Sequence, residues 1–195
     1  MNEFHKTSEL ISALKRRLSS RNELVIGIDG IDGCGKTTLA KELNENLAIP
    51  FFSTDDYLNK QKGSYIEHIR YKQLLNSIEQ VNGSLIIEGV CLLRIAEQVN
   101  INISDLVYIK IMSPWKFWVD EEVCDPAEPV DQLIERLTKE ASLIPSDTFN
   151  LKESNEETKE SSTGLTPFRE QVIRYHAKFR PSIKAKYIYL KERAH

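Results

Sequence analysis

The sequence predicts an α/β fold in three layers, with a five-stranded, mostly parallel sheet that carries helices on both faces. Two observations favour this class. Short apolar runs alternate along the chain with segments in which apolar residues recur at helical spacing. Half of the eight glycines lie between Gly27 and Gly35, directly after the first apolar run. Strands that alternate with helices indicate parallel pairing, because each crossover helix returns the chain to the same edge of the sheet.

The predicted elements follow one another in a regular order. Apolar runs bounded by glycine, proline or polar residues predict strands at residues 24–29, 49–53, 84–88, 105–112 and 187–190. Helical spacing predicts helices at residues 7–20, 36–47, 65–81, 91–99, 130–143 and 168–179, and Pro114 predicts the start of another that contains Trp115 and Trp118. Residues 146–166 are polar and predict a mobile loop, so we expect a lid region at about 131–166.

The composition excludes several classes of protein. The formal net charge is −3, 41% of the residues are hydrophobic, and no apolar run approaches the roughly 18 residues of a membrane span. Three widely spaced cysteines without a C-x-x-C pair argue against a disulfide framework and for a reducing, cytoplasmic location. We therefore expect one domain over residues 1–195, with neither a membrane nor a nucleic acid as partner, and a homo-oligomer stays open.

A glycine-rich segment carries the most specific motif of the chain. Residues 30–37, GIDGCGKT, fit the pattern G-x-x-x-x-G-K-[ST] of a phosphate-binding loop, and they lie between an apolar strand and a helix. Glycines let successive backbone N–H groups turn toward phosphate oxygens, and the following helix directs its positive end at the same anion. Lys36 can reach the β- and γ-phosphates, and the Thr37 hydroxyl can bind Mg²⁺.

Further features distinguish among the classes of protein that share this loop. The guanine-binding motif N-K-x-D and the transporter signature L-S-G-G-Q are absent from the sequence. Asp55 and Asp56 follow the second predicted strand, and the third strand ends in Glu88 and Gly89 rather than in an Asp-Glu pair. Because carboxylates beside a phosphate site suit a base for a substrate hydroxyl, these residues favour a small-molecule kinase.

Several segments taken together resemble a known family. IGIDGIDGCGKTTLAKEL, FFSTDDYLNK and LIIEGVCLL are similar to the uridine kinase-like group of P-loop kinases, and RYHAKFRPSIKAKYIYL resembles the last helix and strand of that family. The group is similar to nicotinamide riboside kinases and, more distantly, to pantothenate kinases and phosphoribulokinases. The resemblance implies a P-loop NTPase fold, the cofactors ATP and Mg²⁺, and a small-molecule acceptor that is nucleoside-like.

The resemblance also implies roles for the loop and for the carboxylates. The residues that would bind the nucleotide are Gly30, Asp32, Gly33, Cys34, Gly35, Lys36, Thr37 and Thr38. Asp55 would be the catalytic base. Thr37 and Glu88 would bind Mg²⁺, and Asp56 would bind the ion or its water. A turn or helix cap for the two aspartates, and a solvent-facing strand end for Glu88, stay open as alternatives.

Three further residues would belong to the acceptor pocket. The resemblance implies that Tyr57 and Tyr65 line the pocket and that Arg70 holds a hydroxyl or phosphate of the substrate. Ordinary packing is an alternative for the tyrosines, and an exposed helix cation is an alternative for Arg70.

The sequence departs from the family in its lid. Members usually place several arginines after the fourth strand, whereas residues 113–131 contain none. Arg169 is the preferred candidate for a lid cation, because positioned cations are a main catalytic device in phosphoryl transfer. Residues 120–160 hold thirteen acidic and four basic residues, so the expected lid is acidic. Trp115 and Trp118 are expected to pack, with a base-stacking platform as the alternative.

The sequence therefore predicts an Mg²⁺·ATP-dependent kinase that phosphorylates a hydroxyl of a small molecule. A nucleoside such as uridine is the preferred acceptor. A kinase for nicotinamide riboside, pantothenate or a sugar stays open, because the loop and the base would be unchanged. A P-loop ATPase or switch, and a nucleotide-binding protein with weak or lost kinase activity, are the remaining alternatives.

Overall fold

The computed structural model describes residues 2–21, 23–59, 65–143 and 165–193. Its strands are β1 (Asn2–Phe4), β2 (Val25–Asp29), β3 (Phe51–Ser53), β4 (Leu85–Glu88), β5 (Asp105–Met112) and β6 (Tyr187–Glu192). Its α-helices are α1 (Thr7–Ser19), α2 (Lys36–Leu47), α3 (Tyr71–Glu79), α4 (Leu92–Gln98), α5 (Glu121–Cys124), α6 (Val130–Ser142), α7 (Pro167–Phe179) and α8 (Pro181–Lys184). Of the loop predicted at 146–166, residues 146–164 lie outside the described residues.

The strands form one parallel sheet in the order β1-β6-β5-β2-β4-β3, which confirms the α/β class. The predicted count of five strands is wrong, because the sheet has six. The additional strand is β1, which pairs with Tyr187–Tyr189 of β6. Its three residues carry no apolar run, so only pairing with the edge of β6 makes them a strand.

Apolar side chains cover both faces of the sheet, as the alternation along its strands requires. One cluster joins Ile26 and Ile28 of β2 to buried leucines of α1 and α2. On the other face, Ile87 and Tyr108 pack with residues of α3, α4 and α7. A third, smaller cluster holds α6 against α7. In the described part of the chain, no helix is both long and apolar enough to cross a membrane.

The structure corrects two predicted helices. The residues after Pro114 form a turn that returns Trp118 to an antiparallel bridge with Met112, and a helix begins only at Glu121. Trp118 is 8% exposed and packs edge-on against Tyr108, whereas Trp115 is 80% exposed. The helix predicted at 65–81 is shorter, because a 3₁₀ turn at Ile66–His68 precedes α3.

Parallel pairing places the carboxyl ends of β2, β3 and β4 at one edge of the sheet. The phosphate-loop motif follows β2. A 3₁₀ turn, Thr54–Tyr57, follows β3, and Gly89 follows β4. Ser53, the last residue of β3, is the register partner of Glu88, the last residue of β4. Asp55 lies two residues after Ser53, so it is close to Glu88 at the same edge. Functional residues that lie far apart in the sequence therefore meet at this edge.

Candidate active site

The glycine-rich segment forms a tight loop that leads into α2. Gly33 and Gly35 have φ angles of 71° and 94°, in the left-handed region that favours glycine. The Asp32 carboxylate accepts a hydrogen bond from the Gly33 N–H at 2.9 Å. Helix α2 begins at Lys36, so its unpaired N–H groups and its positive end lie at the loop. This backbone arrangement is suited to a phosphate anion.

Lys36 lies inside the loop rather than on the surface. Its side chain is buried, and its Nζ donates to the Ile31 carbonyl oxygen at 2.7 Å. Cys34 is fully buried beneath the loop, and burial raises the pKa of its thiol, so the thiol stays protonated. Lys36 Nζ also contacts the Cys34 sulfur at 3.9 Å, so both of its partners are neutral and one further donor is available for an anion.

Thr37 and Glu88 form a polar pair at the start of α2. The Thr37 hydroxyl donates to Glu88 Oε1 at 2.9 Å. Glu88 is 1% exposed, and its Oε2 atom is buried without a hydrogen-bond partner in the described part of the chain. Burial raises the pKa of this carboxyl, although the hydroxyl groups of Ser53 and Thr37 and the charge of Lys36 oppose the shift. An orphaned carboxylate oxygen beside a hydroxyl is the donor set that a hard divalent cation takes, so these residues fit Mg²⁺.

Asp55 is held by a chain of hydroxyl groups. Tyr65 donates its hydroxyl hydrogen to Asp55 Oδ1, and the Thr54 hydroxyl donates to the Tyr65 oxygen at 2.7 Å. Burial raises the pKa of Tyr65, and the bond to Asp55 raises it further, so the phenol remains a donor. The Tyr65 ring packs against Phe168 of α7 at 5.7 Å between centroids. Tyr65 therefore orients the carboxylate that the sequence singled out as a base.

Of the other residues predicted around the acceptor, Asp56 and Arg70 are exposed, as Asp55 itself is, and Tyr57 is half-buried. Asp56 lies in the same 3₁₀ turn as Asp55, with its side chain in solvent. Arg70 donates from Nη2 to the Asp56 carbonyl at 2.7 Å and from Nε to the Tyr57 carbonyl at 3.3 Å. Tyr57 is half-buried against the apolar core. Arg70 thus holds the backbone of this turn in place. Thr38, which was predicted to bind the nucleotide, is an exposed residue in the first turn of α2.

Arg169 lies close to the phosphate loop. The Thr166 hydroxyl caps α7 by accepting from the Arg169 N–H at 3.2 Å, and Pro167 occupies the first helical position. The Arg169 side chain lines a cavity of about 270 Å³ together with Ile31 and Asp32 of the loop. Its role as a lid cation stays a prediction, and most of the expected lid lies outside the described residues.

Sequence reasoning missed a carboxylate beneath the loop. Asp29 is fully buried at the end of β2, where it accepts from the Gly30 N–H at 2.7 Å and from the hydroxyl of Tyr175 in α7. Burial raises the pKa of Asp29 to about 6, although both hydrogen bonds oppose the shift. Burial also lowers the pKa of the adjacent His176 to about 4, so this histidine is neutral. Only its place before the loop marks Asp29 in the sequence.

A second group that sequence reasoning missed lies beside the first glycines of the loop. A cavity of about 390 Å³ is lined by Asp32, Gly33, Asp120, Lys191 and Arg193. Burial raises the pKa of Asp120, and the charges of Arg193 and Arg169 partly offset this effect. The sequence marks this group only by the run of charged residues at the end of β6. That run lies more than 150 residues from the loop, so the sequence does not show that the two are neighbours.

Comparison with protein families gives one match, to a family described as shikimate kinase, over residues 32–74. The match extends from the phosphate loop through Asp55 and Tyr65 to the first turn of α3. It agrees with the resemblance to P-loop small-molecule kinases and leaves the acceptor unassigned. No curated protein matches this sequence.

This chain is similar to a number of solved structures. A possible uridine kinase from Bacillus stearothermophilus is 14% identical, with a TM-score of 0.46, over 93% of this chain and 98% of the other. A shikimate kinase from Bacteroides thetaiotaomicron is 17% identical, with a TM-score of 0.40, over 86% of each chain. A shikimate kinase from Aquifex aeolicus is 18% identical, with a TM-score of 0.37, over 85% of each.

Proposed function

We propose that the protein is an Mg²⁺·ATP-dependent kinase that phosphorylates a hydroxyl of a small, uncharged acceptor, with a nucleoside such as uridine as the preferred class. The observation that supports this most is the Asp55 carboxylate, which Tyr65 orients at the same sheet edge as the phosphate loop. As the acceptor oxygen forms its bond to the γ-phosphorus, Asp55 accepts the hydroxyl proton, and the bond to the leaving ADP breaks.

The remaining residues divide the work of binding and orientation. The loop N–H groups and Lys36 hold the phosphates. Thr37 and Glu88 would hold Mg²⁺, which when bound neutralises charge on the phosphates. Among the described residues, no group of three or more His, Cys, Asp or Glu side chains could hold a metal ion. A cation here would therefore depend on the Thr37–Glu88 pair, the phosphates and water.

The groups around Asp55 suit a nucleoside acceptor. Among the described residues they include the Asp56 carboxylate, the rings of Tyr57 and Tyr65, and Arg70, which donates to two backbone carbonyls. Hydroxyl and carboxylate groups can bind the hydroxyls of a ribose, and an aromatic ring can stack on a base. Arg70 keeps three N–H donors that could bind a carboxylate, so we rank a nucleoside above shikimate on the resemblance of the sequence to uridine kinase-like proteins alone.

One specific observation favours a second candidate, a nucleotide-binding protein with weak phosphoryl transfer. Residues 113–131 contain Lys116 but no arginine, so the arginines expected in a lid helix are missing from that segment. Arg169 and the end of β6 supply cations from other elements instead. We therefore rank transfer above mere binding.

An ADP-release assay tests the proposed function. Purified protein with Mg²⁺·ATP would be supplied in turn with nucleosides, nicotinamide riboside, pantothenate, sugars and shikimate, and products would be identified by mass spectrometry. We expect one uncharged, hydroxyl-bearing class to stimulate ADP release and to gain a phosphoryl group. Turnover that is independent of every acceptor would overturn the kinase proposal, and nucleotide binding without turnover would favour the second candidate.

Two substitutions test the assigned roles. Asp55→Asn should lower kcat by about 10²- to 10⁴-fold and leave ATP affinity within a few fold, because the amide cannot accept the proton. Lys36→Ala should weaken both binding and turnover. Glu45→Gln, an exposed position near the far end of α2, is the control and should behave as wild type. Near-normal turnover of Asp55→Asn would show that the base is a different group.

A further inference from the structure

Two lysines, not one, lie on the phosphate loop. Lys36 belongs to the loop motif and donates from Nζ to the Ile31 carbonyl at 2.7 Å. Lys191 comes from β6 and donates from Nζ to the Cys34 carbonyl at 3.2 Å. Each ammonium thus donates to a neutral carbonyl of the same loop. Lys36 also contacts the Cys34 sulfur at 3.9 Å and keeps one further donor, whereas Lys191 keeps two.

The side chain of Lys191 packs against Gly35 of the loop. A Cβ atom at Gly35 would overlap Lys191 Nζ and lie 3.4 Å from its Cε atom. The φ of 94° requires glycine at this position, and the flexible end of Lys191 occupies the space that a side chain would take. Lys191 lies opposite Ile111 in the parallel pairing of β6 with β5, so a sheet strand positions it.

The charge of Lys191 is not compensated by a carboxylate in the described part of the chain. The neighbouring Glu192 pairs instead with Lys116 at 3.7 Å, and Asp120 interacts with the charges of Arg193 and Arg169. Lys191 lines the cavity of about 390 Å³ beside Gly33, together with Arg193 and with the acidic residues Asp32, Asp120 and Glu192. A half-buried cation with free donors, at a loop that is built for phosphate, is a site for an anion.

We propose that Lys191 is a second phosphate-binding lysine, which contacts the nucleotide phosphates from the β6 side of the loop and takes over a task that lid arginines would otherwise perform. This inference rests on the proposed function, because it requires a nucleotide at the loop. Lys191 needs no lid closure to reach its ligand, since the strand already holds it against Cys34 and Gly35.

Calorimetric titration with Mg²⁺·ADP tests the proposal. A charge-assisted hydrogen bond to phosphate predicts about 10- to 100-fold weaker binding for Lys191→Met, which keeps most of the apolar stem and removes the charge. The salt dependence of the affinity should become shallower, because one cation fewer meets the phosphates. Lys191→Arg should bind within about fivefold of wild type. Lys15→Met, an exposed lysine on α1, is the matched control and should bind as wild type.

The outcomes test the role of Lys191 separately from the proposed kinase function. Weaker binding with a shallower salt dependence and an unchanged urea midpoint supports the role of Lys191. Wild-type affinity of Lys191→Met overturns that role and leaves the proposed function intact. Equal losses of stability and affinity, with an unchanged salt dependence, show a structural lysine and also overturn it. Should Lys191→Met fail to fold, Lys191→Gln provides the same comparison. Absence of ADP binding by wild type overturns both proposals.

Discussion

Gly89 follows Glu88 at the end of β4 and packs directly against Thr54. A Cβ atom at this position would overlap Thr54 Oγ1 and lie 2.9 Å from Thr54 Cβ. Gly89 has no positive φ, so the backbone tolerates alanine and the cost of Gly89→Ala is purely steric. Thr54 is fully buried and β-branched, so its side chain cannot rotate away cheaply.

The magnitude follows from these contacts. Overpacking a buried site costs about 1–3 kcal/mol, and losing the hydrogen bond from Thr54 to Tyr65 adds about 1 kcal/mol. We therefore expect Gly89→Ala to lower the free energy of unfolding by about 2–4 kcal/mol and Tm by about 5–15 °C. Displacement of Tyr65 would also release Asp55, so kcat should fall more than nucleotide affinity.

Urea denaturation followed by tryptophan fluorescence measures this effect. Gly27→Ala is the comparison, because its Cβ would meet Ile103 Cγ2 at 2.8 Å and Leu92 Cδ2 at 3.0 Å, a milder overlap than the one with Thr54 Oγ1 at Gly89. It should cost less and leave the Asp55 region unchanged. Adding Thr54→Ala to Gly89→Ala should cost less than the sum of the single substitutions. A Gly89→Ala protein within about 0.5 kcal/mol of wild type would refute the packing argument.

Two further predictions concern stability. Burial raises the pKa of Asp29 to about 6, so the folded state binds the carboxyl proton more tightly than the unfolded chain does. Ionisation of Asp29 should therefore lower the free energy of unfolding by about 3 kcal/mol between pH 4 and pH 7. In urea denaturation Asp29→Asn should lack this loss, and a pH-independent difference from wild type would contradict it. Trp118→Ala should cost about 3 kcal/mol or more, and the exposed Trp115→Ala less than about 0.5, by the same measurement; equal costs would contradict the packing described.

Local features were the predictable part of the fold. The helix expected at 36–47 and the strand expected at 105–112 coincide with α2 and β5. Glycine conformations, helix starts and apolar runs are properties of a few consecutive residues, so a single sequence carries them. The same holds for the phosphate loop, because the residue types and their spacing within eight residues are what suit it to bind phosphate.

Elements that depend on a distant partner were missed or mistaken. Strand β1 has no apolar pattern of its own and exists because β6 offers an edge for pairing. The residues after Pro114 favour a helix locally, but burial of Trp118 against Tyr108 and the bridge to Met112 override that preference.

The sequence alone determined the fold class, the phosphate loop and the candidate carboxylates, because each depends on residues that are close along the chain. The tertiary structure alone decided what those groups touch. It placed Tyr65 on Asp55, Tyr175 on Asp29 and Lys191 on the loop, over sequence separations of 10, 146 and 157 residues. The strand order of the sheet and the packing of α7 bring these partners together, and neither is written in any local pattern of residues.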